Sequence, residues 1–244
     1  IGIKMVPLQK MVYVEDRAQY LPESEVEHWM RVKRISSSEL KRRLEKGLDI
    51  PDWFSYPEVV EELRNLYPPR RKQGFTIFIT GLPSAGKSTL AKVLLVKFME
   101  LRDRPATLLD GDIVRKNLSS ELSFTREHRN LNVERIGFVA SEITKNGGIA
   151  ICAPIAPYEE SRRYNRELIG RHGGYIEVYL STPMDVCEQR DRKGIYAKAR
   201  TGKVSSVTGI DDPYIPPSNP EIVLDTSRLT PGEAAQEVML YLEQ

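Results

Sequence analysis

From Phe75 onward, short apolar runs alternate with longer segments whose apolar residues recur at steps of three and four. That texture predicts a mainly parallel sheet covered by helices. The runs FTIFIT (75–80), ATLLD (106–110), IAICA (149–153), YIEVYL (175–180) and EIVLD (221–225) are the predicted strands, with helices between them. Leu90, Val93, Leu94, Phe98 and Leu101 fall on one side of a helix after the first strand. Residues 191–220 are polar and studded with Gly and Pro. A loop of that length in a compact domain predicts a lid or a disordered segment.

The first third has a different pattern, with more charge, tryptophan and proline and shorter helices. Ser36 and Glu39 have capping-box spacing, followed by Leu40 and Leu44 and a stop at Gly47. Ser55 and Glu58 repeat the spacing, with Pro57 in the first turn and Val59, Val60, Leu63 and Leu66 as the apolar side. YPPRRKQG cannot continue a helix, so residues 67–73 are read as a linker. The predicted division is 1–72, a small α/β appendage with its linker, and 73–244, the main domain.

Composition narrows the function more than the fold. Among 244 residues, 36 Lys and Arg oppose 34 Asp and Glu, a net charge of +2. This argues against a dedicated nucleic-acid binder or a polybasic membrane anchor. No stretch is apolar enough to span a bilayer and the start lacks a secretory pattern, so a cytoplasmic location is expected. The chain opens at Ile1 and reads as a piece of something longer. Cys152 and Cys187 have no metal-type spacing and are expected to be reduced packing thiols.

The clearest chemistry lies in GLPSAGKS, residues 81–88, which fits the phosphate-loop pattern G-x-x-x-x-G-K-[ST] between a predicted strand and helix. The glycines Gly81 and Gly86 let the backbone bend so that N–H groups around Ser84, Ala85, Gly86, Lys87, Ser88 and Thr89 converge on phosphate oxygens. Lys87 is placed to neutralise the β- and γ-phosphates and Ser88 to ligate Mg²⁺, so ATP or GTP is the predicted ligand. The loop alone does not separate kinases from switches or motors. The next predicted strand ends in Asp110-Gly111-Asp112, where ligands sit in open α/β sheets. Asp110 and Asp112 are together candidates for holding the metal's water shell and orienting an acceptor hydroxyl, with one of them taking its proton.

DGDIVR (110–115), ELSFTREHRNLNVERIGFVA (121–140), APIAPYEESRR (153–163) and CEQRDRKGIYAKARTG (187–202), in this order after GLPSAGKST, resemble the adenylylsulfate (APS) kinase family over about residues 73–244. The resemblance implies a P-loop nucleotide-kinase fold. It further implies transfer of the γ-phosphoryl group of MgATP to the 3′-hydroxyl of adenosine 5′-phosphosulfate, giving 3′-phosphoadenosine 5′-phosphosulfate (PAPS). Spacing alone favours Arg115, Arg129 and Asn132 as solvated helix residues and Phe124 as core. The resemblance instead puts Asp112 at the acceptor 3′-hydroxyl, Asp110 close to Mg²⁺ and its waters, Arg115 and Arg129 on the phosphosulfate, Phe124 against the acceptor adenine and Asn132 beside it. It puts Ile155 and Ala156 along the acceptor pocket by their backbone, and Arg190, Lys193 and Gly194 at the start of a lid over both nucleotides. Many members have a serine where this chain has Ala156, so a phosphoserine route at that position is excluded here.

Two positions depart from the family text. Pro83-Ser84 replaces a commoner Ser-Gly, which is expected to stiffen the loop and leave binding intact. Ser206-Val207 replaces a Gly-Phe pair whose ring closes on the acceptor adenine, so weaker adenylylsulfate binding is expected. Residues 1–70, through KMVYVEDRAQYLP, ISSSELKRRLEKGLDIPDWFSYPEVVEELR and YPPR, resemble the carboxyl-terminal end of ATP sulfurylase. Its catalytic Q-x-R-N run and histidine pair are not in this chain, so this segment is read as a packing or linking module. The resemblances imply a homodimer or larger homo-oligomer and an upstream ATP sulfurylase in the native chain. The rival to an enzyme is a kinase-like regulatory domain that binds PAPS without turnover. Intact Lys87, Ser88, Asp110 and Asp112 favour the enzyme. A kinase for another small nucleotide or sugar is disfavoured by the acceptor motifs.

Overall fold

The computed structural model describes residues 9–69 and 72–243. The first eight residues, Arg70 and Arg71 of the expected linker, and Gln244 lie outside the description. The chain divides into two compact units after Lys72.

In the first unit, β1 (Met11–Val14) pairs antiparallel with β2 (Gln19–Pro22) and β3 (Val32–Lys33), in the order β2-β1-β3. Helices α1 (Ser37–Lys46) and α2 (Pro57–Leu66) follow. Ser36 caps α1 by accepting from the Glu39 N–H at 3.1 Å, and Gly47 ends it at φ 65°. The reciprocal half of the expected capping box is not made, because the Glu39 carboxylate is taken by Arg42 and Arg43. The second box does not form: Ser55 belongs to a turn from Pro51, and α2 begins at Pro57 with Tyr56 before it. Proline at the first helical position needs no donor there, so it sets the start without a side-chain cap. Val60 is buried and Leu63 half-buried, but Val59 and Leu66 are exposed, a narrower apolar side than predicted. Val59 lies about 100° round the helix from Val60, and Leu66 is the last residue of its final turn. Leu44, Ile50 and Val60, with Leu40, Phe54 and Leu63 against them, form the small core of this unit.

The second unit is built on β4 (Phe75–Gly81), β5 (Ala106–Asp110), β6 (Ile149–Ala153), β7 (Gly174–Leu180) and β8 (Ile222–Leu224). They form one parallel sheet in the order β5-β6-β4-β7-β8. Every pair of neighbours is parallel, so each connection crosses over through helix. The helices are α3 (Lys87–Leu101), α4 (Gly111–Leu118), α5 (Arg126–Lys145), α6 (Glu159–Gly170), α7 (Met184–Arg190), α8 (Ile195–Arg200) and α9 (Pro231–Leu242).

Alternation along the strands sorts the core into two layers. Ile77, Ile79, Ile151 and Val178 join Leu90, Leu94 and Phe98 of α3 and Ala235 and Val238 of α9 on one face. Phe78, Ala150 and Cys152 join Val133, Ile136 and Ala140 of α5 on the other. With both faces covered, the strands read as nearly continuous apolar runs. Leu101 is exposed, contrary to the predicted stripe. It is the last residue of α3, where Arg102 turns the chain with φ 51°. The last strand is shorter than 221–225 because the Glu221 carboxylate accepts from Arg166 and the Glu177 N–H, while Asp225 accepts from the Ser227 N–H. Residues 191–220 are not a structureless loop: they contain α8, a bridge between Thr208 and Asp212, and the buried Tyr196. Both cysteines are buried free thiols, with burial raising their pKa.

Candidate active site

The carboxyl edge of the sheet opens into a cleft of about 650 Å³. Its floor is the turn between β4 and α3. Gly81 reaches φ 149° there, and a Cβ on it would stand 2.8 Å from the Leu180 carbonyl oxygen, so the strand leaves the sheet where only glycine fits. Ser84 takes φ 60°, a left-handed conformation that glycine adopts at no cost. The departure from the family text at this position therefore puts a strained residue into the loop.

Lys87, first residue of α3, folds back over the turn. Its Nζ donates to the carbonyls of Gly81 at 2.9 Å and Leu82 at 2.7 Å. Two of the three ammonium protons are thus held by the loop, leaving one for a ligand. Burial pushes the Lys87 pKa down to about 8, because water has been withdrawn from the charge.

Ser88 Oγ donates to Asp110 Oδ2 at 2.6 Å. The other carboxylate oxygen accepts from the Asp112 N–H at 3.0 Å, so Asp110 is also the N-cap of α4. One buried carboxylate thus joins the end of β5 to the start of α3 and fixes the backbone that presents Asp112. Among the described residues no group of three or more His, Cys, Asp or Glu is placed to hold a metal. Ser88 and Asp110 nevertheless offer adjoining hard oxygen donors, the set Mg²⁺ uses when phosphates and water complete its shell. Asp112 is exposed and accepts from Lys193 Nζ, at the beginning of the 191–220 segment.

Opposite the turn lies a second group. Arg115 of α4 stands over the Phe124 ring, 4.2 Å from its centroid, and donates to the carbonyl of Leu122 at 2.8 Å. Arg129 of α5 is buried and spends its guanidinium on the protein. Nε donates to the Phe124 carbonyl at 2.8 Å, Nη1 to Thr208 Oγ1 at 2.8 Å and Nη2 to the Ser206 carbonyl, with Asp212 3.6 Å away. Asn132 is buried, lines the cleft and has an Oδ1 with no hydrogen-bond partner among the described residues. A buried acceptor left open beside a cavity fits a donor supplied by a ligand. Ala156 reaches φ 48° and is held there through its carbonyl, to which buried Arg162 donates at 2.6 Å.

Most of the candidate residues share this cleft. Ser84, Gly86, Lys87, Ser88 and Thr89 line its floor; Asp110, Asp112, Arg115, Phe124, Arg129, Asn132, Ile155 and Ala156 line one wall; Arg190 and Lys193 stand at the rim. Gly81 and Ala85 support the loop from behind. Ser206 and Val207 do not line the cleft. Val207 is buried in the hydrophobic core, and Ser206, at φ 60°, meets the site through its carbonyl on Arg129. The weaker adenylylsulfate binding expected from the missing ring is a matter of affinity; the Val207 side chain itself points into the core, in a turn where the Asp211 carboxylate accepts from the N–H groups of Ser206 and Val207.

Sequence reading missed the last part of the lining: Thr226, Leu229, Thr230, Pro231 and Ala234. The signal was present in LTPGE, since Thr230 and Glu233 make a complete capping box with Pro231 at the first helical position. A helix start directly after the last strand of a parallel sheet falls at the ligand edge.

A parallel sheet whose first strand runs into a lysine-bearing phosphate loop, with an acidic strand end beside it, defines the P-loop kinase fold. The adenylylsulphate kinase family model matches residues 73–225, and the ATP-sulfurylase model matches residues 1–66. The chain belongs to the adenylylsulphate kinase family, a family of phosphotransferases. Among solved structures it is similar to the hexameric APS kinase from Thiobacillus denitrificans, at 48% identity and TM-score 0.78 over 99% of this chain and 43% of that one. It is also similar to the Mycobacterium tuberculosis APS kinase in complex with AMPPNP and APS, at 36% identity and TM-score 0.68 over 70% of this chain and 99% of that one. A curated relative, the sulfate adenylyltransferase of Phaeosphaeria nodorum, is 46% identical over 100% of this chain. The chain spans 42% of that relative's length.

Proposed function

We propose that the second unit transfers the γ-phosphoryl group of ATP to the 3′-hydroxyl of adenosine 5′-phosphosulfate, releasing ADP and PAPS. The observation that carries this reading is the Ser88–Asp110–Asp112 chain. It ties the phosphate-loop helix to the backbone that carries Asp112 on the acceptor wall. Family membership and the likeness to a kinase solved with AMPPNP and APS support the choice of acceptor.

In this reading the loop N–H groups and Lys87 hold the β- and γ-phosphates, and Arg190 stands at the donor end. Ser88 and Asp110 would hold Mg²⁺, which supplies charge neutralisation across the two phosphates. Asp112 orients the 3′-hydroxyl and takes its proton as the P–O bond to the acceptor forms and the bond to ADP breaks. For that, Lys193 must release Asp112, and arrival of the anionic substrates gives the ammonium another partner. Arg115 and Phe124 offer a guanidinium and a ring to the acceptor, and Asn132 an open acceptor atom. Charge dispersal and alignment do most of the work in a loose phosphoryl-transfer transition state, so no phosphoenzyme is needed. Residues 1–66 are read as the carboxyl-terminal part of an ATP sulfurylase unit in the native protein, which would supply the acceptor. Self-association is read from the hexameric neighbour.

The test is ADP release from MgATP with adenylylsulfate as acceptor, alongside Lys87→Ala and with AMP as control acceptor. Acceptor-dependent turnover, lost in the variant and absent with AMP, is expected. Tight binding of adenylylsulfate or PAPS without turnover would make this a sensing domain.

A further inference from the structure

The peptide between Ala85 and Gly86 is held from behind by two threonines outside the phosphate-loop motif. Thr226, just past β8, places its Oγ1 2.9 Å from the Ala85 carbonyl oxygen, and Thr182, just past β7, places its own hydroxyl 3.3 Å from the same atom. The two hydroxyls are 2.8 Å apart. Arg190 grips Thr226 twice, Nη1 donating to Oγ1 at 2.7 Å and Nη2 to the Thr226 carbonyl at 2.7 Å.

Thr226 Oγ1 has one proton and two lone pairs. Arg190 can only donate, so one lone pair is taken. The Ala85 carbonyl can only accept, and the Thr226 hydroxyl at 2.9 Å is nearer to it than the Thr182 hydroxyl at 3.3 Å, so distance favours the Thr226 proton there. The Thr182 hydroxyl, with one proton of its own, then donates to the Thr226 oxygen and supports the carbonyl through it.

Geometry gives this oxygen its use. A trans peptide is planar, with its carbonyl and N–H pointing in opposite directions. Anchoring the Ala85 carbonyl toward Thr226 therefore turns the Gly86 N–H the other way, into the phosphate nest. Gly86 itself sits at φ 101°, with the Thr226 side chain 3.6 Å from where a Cβ would be. Glycine does not resist rotation about that backbone; the threonine does.

We propose that Thr226, seconded by Thr182, is a positioning residue for phosphoryl transfer: it fixes the Gly86 amide toward the nucleotide phosphates and links that orientation to Arg190 at the rim. The inference rests on the reading of the cleft as a nucleoside triphosphate site. It requires no particular acceptor.

The experiment uses the full chain with Thr226→Val, Thr226→Ser and Thr226→Ala, and measures MgADP affinity by calorimetry and the Gly86 amide resonance by ¹⁵N NMR. Thr226→Val, close to threonine in shape, is expected to weaken MgADP about tenfold, the scale of one lost charge-assisted hydrogen bond. Thr226→Ser is expected to stay within about twofold, because it keeps the oxygen. Thr226→Ala should follow the valine, which keeps the test alive if valine disturbs folding. The ADP-induced shift of the Gly86 amide should shrink in valine and alanine and persist in serine. Arg190→Ala should cost less in the Thr226→Val background than in the native chain, since the two act through one oxygen. Native affinity in the valine and alanine variants, serine as weak as valine, or no MgADP binding by the native chain overturns the proposal. Thr226-dependent MgADP binding without adenylylsulfate-dependent turnover would sink the proposed function and leave this inference standing.

Discussion

Lys87 keeps a charge in a place that disfavours charge. Its ammonium is buried against two loop carbonyls, and desolvation lowers its pKa to about 8 against an ordinary value of 10.5. Below pH 8 the group is protonated both folded and unfolded, so the folded chain carries the full penalty. Between about 8 and 10.5 the unfolded chain binds more protons than the folded one, so this residue's contribution to stability improves as pH rises. Nucleotide binding runs the opposite way, because phosphates select the charged form. MgADP affinity is expected to fall as pH rises through 8, where the nucleotide phosphates are already ionised. The check is a calorimetric titration from pH 7 to 9.5 on the native chain and on Lys87→Met. A decline that persists unchanged in the methionine variant would assign it to another group. At this scale the motif singled out Lys87 as a phosphate-site candidate, but its pKa follows from burial, which no spacing rule reports.

At the scale of elements, the cleft depends on helix starts. Helix α3 begins at the loop's lysine, α4 at Asp110, α5 at Thr125 and α9 at Thr230. The Thr230 cap is complete: its Oγ1 accepts from the Glu233 N–H at 3.2 Å, and the Glu233 carboxylate accepts from the Thr230 N–H at 2.8 Å. Thr230→Ala should lower unfolding free energy by about 1 kcal/mol. Because Thr230, Pro231 and Ala234 line the cleft, it should also weaken nucleotide binding, so equal melting points with and without MgADP as compared with the native chain would count against it. The strands were legible because a parallel sheet buries both faces, leaving bare apolar runs such as IAICA. The α5 residues that face the cleft were legible only through the family motif. Arg129 and Asn132 look like solvated helix positions by pattern, and what makes them interior is tertiary: Arg129 meets the Ser206 carbonyl and Thr208, which are 77 and 79 residues away. The core position of Val207 was not legible for the same reason, since the Asp211 turn that aims it into the core has no signature at the level of alternation.

For the whole molecule, the two units differ greatly in what they bury. The second has two large apolar layers on either side of its sheet, drawn from most of its helices. Among its described residues the first has Leu44, Ile50 and Val60 as a buried cluster, with Val12, Val14 and Met30 buried besides. A unit of about 70 residues buries too little of its surface for a comfortable margin of stability when it stands alone. Residues 73–244, by contrast, hold the entire cleft and all residues of its phosphate chain. Each described apolar cluster lies within one unit. A protein of residues 73–244 is therefore expected to unfold in one cooperative transition and to bind MgADP within about threefold of the full chain, less than the tenfold carried by 1.4 kcal/mol. Residues 1–72 made separately are expected to show a weak or absent transition. Calorimetry and circular dichroism on the two pieces check this. If the larger piece failed to fold or lost nucleotide affinity by more than tenfold, the first unit would be a required part of the kinase, and its sulfurylase-like sequence would have been adapted to that task.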